Sequence, residues 1–136
     1  MLIKGSKKKD YVLDVLLPIC YSNKKYLKDS LISIINQNLK TRIICILNGM
    51  TNNDTNNFVD FLNKFECDIL ISPNKGVSSA LNYGLKFCKS KFVARQDDDD
   101  ISMPKRFSIQ KSYLENNNCD VVGSNIILID TNNKVI

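Results

Sequence analysis

Five short apolar runs, each followed by a polar break, constrain the fold of this chain more than any other feature. They are Tyr11 to Leu17 (YVLDVLL), Ile43 to Leu47 (IICIL), Asp68 to Ser72, Lys91 to Gln96 and Val121 to Ile129. Each is short enough for a buried strand and ends at Pro, Asn, Gly or Asp. Stretches of helical period lie between them. Leu27, Leu31, Ile34 and Ile35 recur at helical spacing after Tyr26, and Ser22 or Asn23 can cap that helix. Phe58, Phe61, Leu62 and Phe65 share a second helical face, capped by Asp54 or Thr55. A third stripe is Val77, Ala80, Leu81, Gly84, Leu85 and Cys88. Gly84 costs that helix up to ~1 kcal/mol relative to Ala, which a close approach to a sheet would explain. A fourth helix is expected from a Ser102 cap, with Pro104 in its first turn, to about Asn116. Strand–helix alternation at this spacing predicts an α/β fold: a doubly wound, mostly parallel sheet with helices on both faces. Residues 1–10 are polar and basic and read as a loose arm, with residues 11–136 as the domain.

Composition narrows the function. The chain has 136 residues, 43% hydrophobic and 24% charged, which suits one globular domain and is small for an enzyme with two substrates. The net charge of +5 suits a phosphate-bearing ligand. No basic stripe interleaved with aromatics supports nucleic-acid binding. Neither a membrane span nor the apolar core of a signal peptide is apparent, so the cytoplasm is the expected compartment. The five cysteines form no CxxC pair and read as reduced, mostly buried thiols. Histidine is absent, which excludes imidazole acid–base chemistry.

In a parallel sheet every loop that follows a strand lies on one edge, where ligands of open α/β sheets bind. Those loops are 18–24, 48–54, 73–76 and 97–103. Helix amino termini at that edge favour anions, yet the last loop carries Asp97, Asp98, Asp99 and Asp100 in a row. Four adjacent carboxylates repel one another. A solvated acidic turn is one reading. The other is a divalent cation shared with a diphosphate, since Mg²⁺ or Mn²⁺ takes one or two carboxylates plus phosphate oxygens. Asp97 and Asp99 are spaced to face one ion. Arg95, Lys105 and Arg106 offset the acidic charge, and Tyr21 reads as a loop packing residue. There is no GxxxxGK[ST] loop and no GxGxxG after the first strand, which disfavours P-loop and dinucleotide-binding domains. An EF-hand fails too, with Ser102 and Ser108 where the Gly and Glu belong.

Several stretches taken together resemble the amino-terminal part of a family 2 glycosyltransferase of the GT-A fold. They are Val15 to Pro18 with Tyr26-Leu27 and Ser33 to Gln37, then Asn74 to Gly84, Ala94 to Phe107, and Asp120 to Ser124. The resemblance spans nearly the whole chain. It implies a nucleotide-diphosphate sugar donor, with a UDP-sugar the first expected, whose sugar passes to an acceptor hydroxyl in surface polysaccharide or glycan synthesis. Asp97 and Asp99 would be the DxD pair holding Mn²⁺ or Mg²⁺. Pro18, Asn48, Asn74, Gly76 and Asn82 would line the nucleotide-sugar pocket, together with Asp97 and Asp98. The acceptor would be a glycan or a lipid-linked sugar. The Lys7–Lys9 run is then a solvated tail or a peripheral contact with the inner face of the membrane.

Two departures stand out. Where the family has Asp-Asp-Gly-Ser after its second strand, this chain has Leu47-Asn48-Gly49-Met50, so Asn48 meets a base edge without charge. The resemblance also implies that the acceptor site and general base belong to a later part of the family's domain, and Asp130 is not placed to be that base. An inactive nucleotide-sugar-binding fragment, or a subunit needing a partner, is the alternative expectation. Exposed apolar surface would mark it.

Overall fold

A computed structural model describes residues 1–5 and 10–136. Strand β1 is Leu2–Lys4, β2 Leu13–Ile19, β3 Thr41–Leu47, β4 Asp68–Ile71 and β5 Phe92–Arg95. Helix α1 is Lys24–Ile35, α2 Asn52–Leu62, α3 Val77–Leu85 and α4 Arg106–Asn116. The sheet order is β1-β4-β3-β2-β5. β2 to β5 are parallel, and β1 adds antiparallel to β4. Leu2–Lys4 of the expected arm is therefore an edge strand, while Lys7–Lys9 lie outside the described residues.

Both faces of the central strands β2, β3 and β4 are covered, so their runs are mainly apolar instead of alternating with polar residues, while one face of β5 stays exposed. Side chains of one strand still alternate between faces. Ile43, Cys45 and Leu47 pack with Leu27, Leu31 and Ile34 of α1, Phe58 and Leu62 of α2, and Phe107 of α4. Ile44 and Ile46 pack with Leu16, Leu70 and Ala80 on the α3 face. Gly84 sits against that face: a Cβ there would come within 2.9 Å of Leu16 Cδ2 and closer still to Ile46 Cδ1. The helix accepts glycine at its propensity cost because a Cβ would have to displace the packed ends of the Ile46 and Leu16 side chains.

β2 does not stop at Pro18 but runs through it to Ile19. The Ile19 carbonyl accepts the Asn48 N–H on the β3 side, and the Leu16 carbonyl accepts the Gln96 N–H on the β5 side. By alternation the N–H that Pro18 lacks would point toward β5, whose pairing with β2 ends at Leu16. No ladder bond is lost.

Three helix starts differ from expectation or settle an open choice. Asn23 caps α1, accepting from Lys25 N–H at 2.9 Å. Thr51, not Asp54 or Thr55, caps α2: it accepts from Asp54 N–H at 3.2 Å and donates to the Asp54 carboxylate at 2.7 Å. Ser102 does not cap α4, whose cap position is Lys105 with no side-chain cap bond; the Ser102 hydroxyl donates to Gln96 Oε1 and its oxygen accepts from Arg106 Nη1. The helix starts later, at Arg106, and Gln37, just past the end of α1, accepts the Phe107 N–H at 3.3 Å.

The fifth expected strand, 121–129, is absent; an isolated bridge between Ile129 and Val135 is the β-pairing there. A strand needs a neighbouring edge as well as β-forming residues, and no described strand pairs with this stretch. Val121, Ile126, Ile127 and Leu128 are 60–85% exposed. Asp130 is tied into its own turn, accepting from the Asn132 and Lys134 amides at 2.8 and 2.9 Å. Those bonds hold its carboxyl below the usual range. Of the cysteines, Cys45 and Cys67 are buried, Cys88 and Cys119 half-buried, and Cys20 exposed.

Candidate donor site

A pocket of about 270 Å³ opens at the carboxyl ends of β2, β3 and β5. Pro18, Ile19 and Cys20 end β2 there, Asn48 follows β3, Val77 begins α3, and Arg95 with Asp97 to Asp99 continues β5. Pro18, Asn48, Asp97, Asp98 and Asp99 are thus brought together from distant parts of the sequence. Asn74 and Gly76 lie on the exposed loop before α3, and Asn82 is exposed on that helix; all three lie outside this pocket's lining. A larger, flatter groove along α4, about 400 Å³ with Ser108 and Tyr113 in its wall, has no charged residue in its lining.

Two features give the pocket its chemistry. The first is Asn48, 2% exposed, whose Oδ1 has no hydrogen-bond partner among the described residues. Leaving a buried acceptor unpaired costs ~1–3 kcal/mol, so such groups mark places where a ligand donor can bind. The second is the acidic loop. Arg95 Nη2 donates to both Asp97 oxygens, at 2.8 and 3.0 Å. Asp98 lies beside the loop after β2, where the nearby Cys20 amide and Ser22 hydroxyl partly offset the effect of burial on its carboxyl. Asp99 is exposed at the pocket mouth. No side chain caps α3, whose cap position is Gly76 at φ 106°. The amides of its first turn are left for solvent or an anion. Tyr21 donates its hydroxyl to the Gly49 carbonyl at 3.1 Å, joining two of the loops as a packing residue.

Beneath the acidic loop lies a network that sequence reasoning missed. Gln96 is 2% exposed. Its Nε2 donates to Ser30 Oγ at 2.9 Å, Ser33 Oγ at 3.2 Å and the Asp100 carbonyl at 3.0 Å. Its Oε1 accepts from Ser102 and from Arg106 Nη1. Ser30 donates to the Asp97 carbonyl at 3.1 Å, and Gln37 Nε2 to the Met103 carbonyl at 3.0 Å. Helix α1 therefore holds the loop at both ends. The available signal was Ser30 and Gln37 at helical spacing with Leu27, Leu31 and Ile34, polar residues on a face that reads as core.

Burial pushes the Asp98 carboxyl up from 3.8 to about 6, with the Asp99 charge adding to the effect. Burial and the charges of Asp97 and Asp99 raise Asp100 as well. A carboxyl raised on folding binds its proton more tightly in the native state. Its contribution to stability is full below the unfolded pKa and disappears as pH rises through about 6. The thermal midpoint is therefore expected to fall between pH 4 and pH 7, and Asp98→Asn to remove part of that fall. An Asp98→Asn profile parallel to wild type would refute this.

The fold places the chain among open α/β proteins with a mostly parallel sheet, and its pocket lies at the carboxyl ends of the strands. The Glycosyl transferase family 2 model matches residues 14–136, and the chain belongs to that family. It is 28% identical over 130 residues to an uncharacterized glycosyltransferase of Methanocaldococcus jannaschii, covering 92% of this chain and 45% of that protein. It is 42% identical over 60 residues to the O-antigen biosynthesis glycosyltransferase WbnJ of Escherichia coli, covering 44% of this chain and 24% of the other. The chain thus spans less than half the length of these relatives. Among solved structures, Staphylococcus aureus TarS 1-349 in complex with UDP superposes with a TM-score of 0.60 at 18% identity, over 76% of this chain and 32% of TarS 1-349. The mannosyltransferase PcManGT of Pyrobaculum calidifontis, in complex with GDP-Man and Mn²⁺, gives 0.58 at 14% identity, over 76% and 32%. These likenesses establish the GT-A fold. No helix among the described residues is long and apolar enough to cross a membrane.

Proposed function

We propose that this chain carries the donor site of a glycosyltransferase, binding a nucleotide-diphosphate sugar whose sugar passes to an acceptor hydroxyl. The observation that carries the reading is the unpartnered Asn48 Oδ1, buried in the same pocket as the Asp97–Asp99 carboxylates. Asn48 accepts a hydrogen bond from the base or ribose of the donor. The first-turn amides of α3 face the diphosphate. Asp97 and Asp99 would hold a divalent cation. Among the described residues no three metal-ligating side chains converge into a complete cage. Two hard oxygen ligands nonetheless fit Mn²⁺ or Mg²⁺ whose remaining positions are filled by phosphate and water. Such an ion supplies charge neutralisation to a departing diphosphate. Asp98, beside the loop after β2, closes the pocket side wall instead of joining the ligand set.

The donor is expected to be a UDP-sugar, given the UDP complex of one structural neighbour; the GDP-Man complex of the other makes GDP the next candidate. The O-antigen biosynthesis relative supports a role in surface polysaccharide synthesis, and with it we infer a glycan or lipid-linked acceptor met at the inner face of the membrane. The exposed apolar stretch 121–136 favours a second reading, in which the acceptor half comes from further polypeptide packed on that face. Calorimetric titration with UDP, with and without Mn²⁺, tests the donor site. Binding is expected only with Mn²⁺ and is expected to be lost in Asp99→Ala. A folded chain that binds neither UDP nor GDP with Mn²⁺ would sink the proposal.

A further inference from the structure

Arg95 holds both oxygens of Asp97, the carboxylate that a divalent cation would need, and it lines the same pocket. The two occupants are incompatible. A guanidinium on both oxygens leaves Asp97 no free ligand position facing Arg95, and two cations at that distance repel. Arg106, the other arginine near this loop, is not available for exchange, since its guanidinium is bound to Gln96 Oε1, Ser102 Oγ and the Arg95 carbonyl. Arg95 differs. Its backbone is fixed as the last paired residue of β5, opposite Leu16, while its side chain is 58% exposed and bonded to Asp97. A planar fork of N–H donors at the pocket lip matches phosphate oxygens as well as it matches a carboxylate. The unpartnered Asn48 Oδ1 in the same pocket independently marks where a ligand sits.

We infer that Arg95 is an exchangeable counter-cation, pairing with Asp97 in the metal-free protein and passing to the donor's diphosphate when a divalent cation takes Asp97. The inference rests on the donor-site reading above. It makes metal and nucleotide binding cooperative. Metal binding alone must strand the guanidinium, whereas metal with diphosphate gives it a new partner, so each ligand tightens the other by the same factor.

The test uses the full chain and its Arg95→Ala variant. Mn²⁺ alone is titrated with the free ion followed by electron paramagnetic resonance, and UDP is then titrated calorimetrically at saturating Mn²⁺. Arg95→Ala is expected to bind Mn²⁺ alone about three- to tenfold more tightly, and UDP in the presence of Mn²⁺ about three- to tenfold more weakly, the range for an exposed charge contact. An unchanged or weaker Mn²⁺ affinity would overturn the pairing with Asp97 as a competitor. Unchanged UDP affinity would overturn the transfer to diphosphate. Wild-type protein that takes up Mn²⁺ but binds neither UDP nor GDP would overturn the donor reading itself, an outcome distinct from the other two.

Discussion

Asp14→Ala is expected to lose about 3–5 kcal/mol of folding stability, the usual cost of breaking a buried ionic contact by removing one partner. Asp14 is fully buried near the start of β2, on the opposite edge of the sheet from the pocket. Its carboxylate accepts from the Ser90 amide at 2.9 Å, the Ser90 hydroxyl at 3.0 Å and the Lys89 amide, and Arg42 Nη1 lies 3.8 Å away. Arg42 in turn donates through Nε to Asp68 at 2.9 Å and through Nη1 to the Phe87 carbonyl at 2.9 Å. The knot ties β2, β3, β4 and the turn between α3 and β5 at one point. Alanine leaves two backbone N–H groups without their acceptor and removes one of the two carboxylates beside a buried guanidinium. Against the ~5–15 kcal/mol of a typical domain this is a large fraction. Urea denaturation measures it as a lower midpoint at unchanged slope. Asp14→Asn keeps an acceptor for Ser90 and should fall between the two. A loss under about 1 kcal/mol for alanine would show that the knot is dispensable.

Asp14 also shows what a linear pattern conceals. Within YVLDVLL it interrupts an apolar run and reads as a tolerated exception, because its partners Arg42, Asp68 and Ser90 lie far away in sequence. The strands and helices that bury a wide face were legible. β3 and α3 follow from their periodicity, and the close approach behind Gly84 follows from a glycine where alanine would otherwise serve. Features decided by tertiary competition were not legible. Ser102 is a good cap by type, yet its oxygen accepts from the Arg106 guanidinium and α4 begins later, after Lys105. Pro18 ends strands by rule, yet here it lies where the neighbouring strand has already stopped. Residues 121–129 have the composition of a strand but pair with no described strand, and β5 keeps an open edge. At the site, the acidic run was visible at once. The buried amide that holds it was not, because Gln96 looks in sequence like one more polar residue entering a loop.

That amide makes the second large prediction. Gln96→Leu keeps the side chain's bulk but removes a donor shared by Ser30, Ser33 and the Asp100 carbonyl, and an acceptor shared by Ser102 and Arg106. Several buried polar groups lose a partner together. The serine hydroxyls can rotate to others, so the expected loss is about 2–3 kcal/mol, not the full sum. The effect on binding should be larger in proportion. Ser30 and Gln96 set the path of the backbone from Asp97 to Ser102, and a ligand pair displaced by about 1 Å no longer shares one ion well. Mn²⁺-dependent UDP affinity is expected to fall at least about tenfold in Gln96→Leu. Gln96→Glu retains the acceptor for Arg106 and loses only the donor, so it should recover part of the stability and little of the binding. Asp14→Ala is the control that separates the causes. It costs as much stability or more at the far edge of the sheet, and under conditions where it stays folded its UDP affinity should match wild type. If the two variants weaken UDP binding equally, Gln96 acts through global stability alone and the network beneath the acidic loop has no part in organising the site.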